Sequence, residues 1–235
     1  VEVPILEAKL SGPFKTDGFL ILSRSPYRVT GDVTVDGGAI LHIEPGVVVQ
    51  YDRNTSIIVE DGGVVARGTA DLPILFTASG ASPAPGSYTN AVRFTKQTKA
   101  NSLFSYCIVE YATTAFDIYY GTPEISSCHI AKNAQSGVYC RNDAAPQISY
   151  STFEDNMGEG GIKGVGMSNP SIHYNNFLKN AVLVQGFSSI YIDARNNWWG
   201  ADPPDTGLIW GDLDKSVNII PWLTLPVEKA FRGRK

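Results

Sequence analysis

The sequence predicts an all-β solenoid, in which short strands stack coil upon coil. Three observations predict it: a motif repeated at nearly constant spacing, apolar columns in register between the repeats, and frequent turn residues. The motif, Pro-x-Ile-x-x-x-x-(Ile/Phe)-x-x-Asn, occupies residues 123–133, 146–156 and 170–180, so its prolines are 23 and 24 residues apart. Such a period is typical of solenoids, whose repeats bury apolar surface only against neighbouring repeats.

The composition supports a large β-rich body. Of the 235 residues 43% are hydrophobic, and 23 glycines and 14 prolines indicate many turns. No stretch shows an apolar period of 3.6, so almost no helix is expected. Only 18% of the residues are charged and the net charge is −4, a balance that argues against nucleic-acid binding, which needs a clustered basic face. No apolar run approaches the ~18 residues needed to span a membrane.

Taken in order, the chain divides into three predicted parts. Residues 1–28 are irregular and are expected to form an N-terminal cap over the open end of the solenoid. Residues 29–223 form the body, which begins as short β-branched runs separated by Gly, Pro and Asp. A small-residue stretch, 78–90, is expected to be a surface loop. Residues 224–235 form a C-terminal tail, whose basic last part, 230–235, is expected to fray.

From residue 103 onward, apolar residues align in three columns, one for each strand of a coil. The first column is Leu103, Ile125, Ile148, Ile172 and Ala194; the second is Ile108, Ile130, Phe153, Phe177 and Trp199; the third is Phe116, Val138, Ile162 and either Val182 or Val184. Each strand would pair with the equivalent strand of the next coil, ~4.8 Å away. The columns therefore predict a parallel solenoid of triangular section.

Small polar residues separate the first two columns. The pairs are Cys128-His129, Ser151-Thr152, Asn175-Asn176 and Asn197-Trp198. They suit a sharp bend with one left-handed residue, a conformation that Asn tolerates best. Because these positions follow the period, a ladder of stacked turn residues is favoured over a ligand site.

The stretch Asn196-Asn197-Trp198-Trp199-Gly200 resembles the closing coil of secreted bacterial right-handed parallel β-helix repeat proteins of the pectin-lyase-like superfamily. Residues 25–35 with 43–47 are similar to the opening coil of that group, and residues 217–223 to its ending. The resemblance implies a right-handed parallel β-helix of about eight three-strand coils with an N-terminal cap. It also implies a secreted, periplasmic or cell-surface location, but no one activity, since this fold carries lyases, hydrolases, epimerases, adhesins and stalks.

Enzymes of this fold place their sites on the outer face of one strand column. Here the outward positions beside the third column are predicted to be Asp117, Tyr139, Lys163 and Leu183, followed by Tyr119, Arg141, Val165 and Gln185. The predicted ligand-binding residues are Asp117, Tyr119, Tyr139, Arg141 and Lys163, with Trp198 as a further residue that could stack on sugars. The alternative is a solvated sheet face with charge pairing between coils.

The sequence assigns no catalytic residue and no metal ligand. A lyase needs a base and a means of neutralising the uronate carboxylate, and a glycoside hydrolase needs two facing carboxylates, yet only Asp117 lies among the outward positions. The paired-Asp and Gly-His-Gly motifs of polygalacturonases are missing. No cofactor is expected. A calcium loop is the less favoured interpretation of one acidic cluster, which comprises Asp202, Asp205, Asp212 and Asp214.

We therefore predict a non-catalytic extracellular or cell-surface module that binds an acidic glycan or acts as a scaffold. The alternatives are a polysaccharide-active enzyme, either lyase or hydrolase, and a subunit of a larger assembly whose partners are other surface proteins. Cys107, Cys128 and Cys140 lack metal or redox spacing and are predicted to be buried free thiols. A Cys107–Cys128 disulfide is the alternative, with the two residues expected one position out of register.

Overall fold

The computed structural model describes residues 8–96, 101–189, 191–211 and 216–233, and over these ranges the predicted all-β parallel solenoid is confirmed. The strands wind into a parallel β-helix of about nine turns, one more than expected. The helical segments within the described ranges are two short 3-10 turns, Leu22–Arg24 and Thr206–Leu208.

Three faces run along the solenoid. The first face contains β2 (Gly18–Leu20), β4 (Ile40–Ile43), β7 (Gly63–Arg67), β10 (Leu103–Ser105), β13 (Glu124–Ser126), β16 (Gln147–Ser149), β19 (Ser171–His173), β22 (Ile192–Asp193) and β24 (Val217–Asn218). The second face contains β5 (Val48–Tyr51), β8 (Ile74–Ala78), β11 (Cys107–Glu110), β14 (His129–Ala131), β17 (Thr152–Glu154) and β20 (Asn176–Leu178). The third face contains β6 (Ile57–Val59), β9 (Tyr88–Phe94), β12 (Ala112–Ile118), β15 (Ser136–Cys140), β18 (Gly160–Gly166), β21 (Val184–Ser188) and β23 (Ile209–Trp210).

One long strand joins the second and third faces at the start of the solenoid. Strand β3 (Tyr27–Val35) pairs with β5 through its first half and with β6 through its second half. Strand β1 (Ala8–Phe14) pairs along the other edge of β3, with a register shift between Leu10 and Gly12. The segment predicted as a cap thus contributes β1, β2 and the first residues of β3 to the stacked sheets.

The apolar columns fill the interior, and the register is as predicted from residue 116 onward on the third face. Phe116, Val138, Ile162 and Val184 pair in succession, which selects Val184 over Val182. The earliest members of the other two columns are wrong by one residue. Phe104 and Val109 are fully buried and in register, whereas Leu103 and Ile108 face outward. Leu103 and Ile108 each lie beside a second apolar residue, so the alternation of apolar and polar residues could not show which of the two faces inward.

Two of the corners share one construction, a left-handed residue followed by a buried polar or thiol residue. At the first corner, between the first and second faces, the left-handed residues are Tyr106, Ser127, Tyr150, Tyr174 and Asn196, and the buried ones are Cys107, Cys128, Ser151, Asn175 and Asn197. At the second corner, between the second and third faces, they are Tyr111, Lys132, Asp155 and Lys179, followed by Ala112, Asn133, Asn156 and Asn180. The predicted bend at the first corner is therefore correct, but the left-handed residue lies one position earlier and is most often Tyr.

From Val227 onward the described part of the C-terminal tail contacts the second face and the first corner, so the expectation that the chain frays from residue 230 is wrong for the described residues 230–233. The Val227 amide donates to Asn176 Oδ1 at 2.8 Å, and the Phe231 amide donates to the Tyr150 carbonyl at 3.0 Å. The ring of Phe231 meets that of Tyr106 edge-on, with centroids 5.5 Å apart. The tail therefore crosses several coils next to the first corner.

All three cysteines are free and buried, in agreement with the prediction. Ile108 pairs with His129, so Cys107 and Cys128 occupy equivalent positions on adjacent coils and not positions one residue out of register. Burial raises the pKa of the Cys107 and Cys140 thiols, which keeps both protonated and unreactive near neutral pH.

Candidate functional site: a tyrosine–cation strip on the third face

Four adjacent strands of the third face present one polar row to solvent. Arg93 on β9 pairs with Asp117 on β12, Asp117 with Tyr139 on β15, and Tyr139 with Lys163 on β18. Each of these residues follows a buried apolar one and therefore points outward, because side chains alternate along a strand. Tyr119 and Arg141 extend the row just beyond the ends of β12 and β15. We call this set of six residues the tyrosine–cation strip.

Asp117 lies at the centre of the strip and is held by two arginines. Arg141 Nη2 donates to both carboxylate oxygens at 2.8 and 2.9 Å, and Arg141 Nε donates to Oδ1 at 3.1 Å. Arg93 Nε lies 3.5 Å from Oδ2. Only 7% of the Asp117 side chain is exposed, and this burial raises the pKa of its carboxyl despite the opposing effect of the arginine charges.

The tyrosine rings of the strip are covered by cations. The Arg141 guanidinium lies 4.2 Å from the ring centroids of both Tyr119 and Tyr139. Lys163 Nζ lies 5.0 Å from the Tyr139 centroid, and the Arg93 guanidinium 5.2 Å from that of Tyr119. Each ring therefore makes cation–π contacts, and the cations cover part of the ring face on which a sugar could stack.

Two members of the charge network were missed from the sequence. Glu159 forms an ion pair with Lys163 from the turn that precedes β18, and it also accepts a hydrogen bond from Ser136 Oγ at 3.4 Å. Glycines flank Glu159 on both sides, so no strand pattern assigns it to a face. Arg93 precedes the clear part of the repeat, and the loop between β8 and β9, residues 79–87 and so shorter than the predicted 78–90, hides its alignment with Asp117. With Glu159, the strip carries three cations against two carboxylates.

The predicted ends of the outward rows need correction. Gln185, and not Leu183, pairs with Lys163, while Leu183 is buried. Phe187 takes the place expected for Gln185, pairs with Val165 and is 57% exposed. The run from 182 to 184 is entirely apolar, so it carries no alternation from which a face could be assigned.

Trp198 lies apart from the strip. Its backbone forms a β-bridge with Asn176 on the second face, so it cannot complete a site with residues of the third face. The adjacent Trp199 is buried and stacks on Phe177 with centroids 4.5 Å apart, as its place in the second column predicts.

The acidic cluster after the tryptophans is only partly described. Asp202 accepts a hydrogen bond from Trp222 Nε1 at 3.1 Å, and Asp205 accepts one from the Gly207 amide at 3.0 Å. Asp212 and Asp214 lie outside the described residues. In the described part of the chain, no three His, Cys, Asp or Glu side chains come together in a way that could hold a metal ion.

The stacked faces, the left-handed corners and the outward strip define the class of protein: a parallel β-helix. Residues 14–122 match the family described as pectate-lyase like beta helix domain, and residues 86–198 match the right handed beta helix region. Together the matches span residues 14–198 and support placing the chain in the pectin-lyase-like parallel β-helix family. No curated protein and no solved structure matches the chain. The described residues include no helix long and apolar enough to cross a membrane.

Proposed function

We propose that this chain is a non-catalytic module that acts outside the cell and binds an acidic glycan along the tyrosine–cation strip. The observation that carries the proposal is the placement of Arg93, Arg141 and Lys163 around two tyrosine rings, within a stack of four adjacent coils. Guanidinium and ammonium groups are the donors that proteins use for carboxylate and sulfate ligands. A scaffold role, with this face docking another surface protein, is the wider alternative.

The spacing of the strip suits a polymer. Adjacent coils are ~4.8 Å apart, which is close to the length of one sugar ring, so successive coils can meet successive sugars. Arg93 has the longest ion-pair contact of the three cations and the most exposed side chain, at 38%. It is therefore the cation most available to a ligand, whereas Arg141 and Lys163 are partly neutralised by Asp117 and Glu159. The expected binding is weak and sensitive to salt, because the surface is shallow and charged.

The arrangement of carboxylates argues against turnover. Asp117 accepts three hydrogen bonds from Arg141, and Glu159 pairs with Lys163, so each carboxylate is engaged with a cation. A hydrolase needs one carboxyl group to act as an acid and another as a base or nucleophile. One observation favours the rival enzymatic function: the raised pKa of Asp117 is a property shared with catalytic acids. The decisive measurement must therefore include product formation.

The test is binding of polygalacturonate and alginate by isothermal calorimetry at low and moderate salt. We expect weak binding to at least one of them, and at least a tenfold loss in the double variant Tyr139→Ala, Lys163→Ala. The thermal midpoint should fall by no more than about 4 °C, since the variant removes surface cation–π contacts. The matched control, Tyr191→Ala with Lys179→Ala, removes one exposed tyrosine and one exposed lysine away from the strip and should bind normally.

Two results would overturn the proposal. Equal binding by the double variant and the wild type would move the site away from the strip. Release of unsaturated or reducing-end products by the wild type, abolished in Asp117→Asn, would show that the strip is catalytic.

A further inference from the structure

The first corner carries a row of tyrosine side chains that is interrupted at Ser127. Its left-handed residues occur once per coil, and Tyr150 and Tyr174 stack there with centroids 5.5 Å apart and ring planes within 9°. Both side chains are substantially exposed, at 38% and 41%. The coil before Tyr150 has Ser127 at this position, and the coil before that has Tyr106.

Ser127 therefore leaves a vacancy one ring thick. Tyr106 and Tyr150 are two coils apart, a separation of roughly 9.6 Å along the axis. A ring at position 127 would stand about 5 Å from each of its neighbours, which is the spacing at which Tyr150 meets Tyr174. The serine side chain is too short to occupy that volume.

A cavity of about 650 Å³ lies at this vacancy. Tyr106, Ser127 and Tyr150 line it from the corner, and residues 228–232 of the tail line it from the other side. Phe231 forms a wall, held by its edge-on contact with Tyr106 and by the hydrogen bond from its amide to the Tyr150 carbonyl. The cavity is therefore shaped jointly by the coil stack and by the tail.

Polar groups surround the aromatic walls. Glu228, Lys229 and Arg232 line the cavity, and Ser127 contributes a hydroxyl group. The contact of Arg232 with Glu154 is long, 3.9 Å from Nη2 to Oε1, so its guanidinium retains donors for another acceptor. Flat apolar walls with polar groups at their edge fit a pyranose ring, which has apolar C–H faces and a periphery of hydroxyl groups.

We propose that this cavity is a second carbohydrate site, which binds a single pyranose residue stacked on Tyr150. The sugar fills the place of the missing ring, and its hydroxyl groups bond to Ser127 and to the charged residues of the tail. The site lies between the first and second faces and shares no residue with the tyrosine–cation strip. The proposal for this site can therefore be tested independently of the function proposed for that strip.

The test is saturation-transfer NMR with eight probes: the methyl α- and β-pyranosides of glucose, galactose, glucuronate and galacturonate. We expect at least one probe to bind the wild type with a dissociation constant near the millimolar range. The informative variant is Ser127→Tyr, which supplies the missing ring at a backbone conformation that tyrosine already adopts at three other positions of this row. It should fold normally, as judged by its thermal midpoint, and lose at least tenfold in affinity.

The matched control is Asn196→Tyr, which adds a ring at the last left-handed position of the same row, outside the cavity. It should bind like the wild type. Tyr150→Ser removes the stacking surface and should also abolish binding, which keeps the proposal testable if Ser127→Tyr fails to fold. Absence of binding by all eight probes, or unchanged binding in either cavity variant, would overturn the proposal.

Discussion

The two corners that flank the second face share one backbone construction, a left-handed residue followed by a buried one, but they use different buried residues. At the second corner the buried position is Asn in three successive coils: Asn133 Nδ2 donates to Asn156 Oδ1 at 2.8 Å, and Asn156 Nδ2 donates to Asn180 Oδ1 at 2.9 Å. At the first corner the equivalent positions change along the axis from Cys to Ser to Asn. An amide–amide bond is formed there only in the later coils, between Asn175 and Asn197 at 3.0 Å.

The difference shows which part of the construction the corner requires. Asn175 Nδ2 donates to the carbonyls of Ile148 and His173, both at 3.0 Å. The Cys128 thiol lies at the same place and donates to the equivalent carbonyls of Phe104 and Ser126 at 3.5 and 3.3 Å. A small buried donor for these carbonyls is therefore common to the first corner, and the axial amide ladder is an addition to it. A thiol is the weaker donor of the two.

The largest expected effect comes from the apolar layer that lies between the two corners. Phe153 is fully buried on β17 and stacks on Phe177 with centroids 5.0 Å apart. Replacing Phe153 by Ala should lower the free energy of unfolding by about 3 to 5 kcal/mol through lost burial and a new cavity. Denaturant titration measures it. A loss under about 1 kcal/mol would mean that the layer does not hold the corners together.

The second corner should be the more sensitive of the two to loss of its polar group. Asn156→Ala would leave Asn133 Nδ2 without its acceptor and would remove one hydrogen bond each from Asn180 Oδ1 and the Ile130 carbonyl. We expect a loss of roughly 3 kcal/mol, because one buried donor becomes unsatisfied and two further buried hydrogen bonds are lost with it. Asn169→Ala, at an exposed position, is the control. Equal stability of the two variants would contradict the importance of the ladder.

The first corner should tolerate a change of donor. In Cys128→Ser a hydroxyl group replaces the thiol as donor to Phe104 or Ser126, as Ser151 already donates to the Ser149 carbonyl one coil later. The free energy of unfolding should change by no more than about 1 kcal/mol. Thiol titration of the unfolded chains should give three reactive groups in the wild type and two in the variant. A single reactive group in the wild type would reveal a disulfide.

The smallest expected effect is a pH dependence at the first corner, where His129 follows Cys128. Burial lowers the pKa of His129, the charges of Lys132 and Arg232 add to this, and Glu154 opposes it. The folded protein then binds fewer protons than the unfolded chain below about pH 6.5, so stability is lost as the pH falls through that value. His129→Gln should show a weaker decline of the thermal midpoint between pH 7 and pH 5. An identical decline in both proteins would exclude His129 as its source.

Much of this fold is predictable because each coil repeats the same short-range pattern. Where an apolar residue stands between polar ones, as with Ile148 and Ile172, the inward position follows from alternation. Where two apolar residues adjoin, as at Leu103-Phe104, either could face inward and only the neighbouring coils decide. The two amide rows are visible in the sequence as the Asn that ends each motif and as Asn175 and Asn197.

The candidate site was predicted less completely, for a related reason. Asp117, Tyr139 and Lys163 come together because they share one position of the repeat. Glu159 reaches Lys163 from a turn outside the repeated pattern, so no column points to it. The tail is harder still, since Phe231 and Tyr106 are brought together by the folded coil stack and by no local periodicity.

The docked tail changes how the coils can come apart. In a solenoid without such a tail each coil contacts only its neighbours, so the end coils can unfold one at a time. Here the tail reaches from Asn176 through Tyr150 to Tyr106, across four successive coils. Unfolding of coils from the C-terminal end must first break these contacts of the tail. The later coils should therefore open as one block, with hydrogen-exchange protection lost together and not in a gradient.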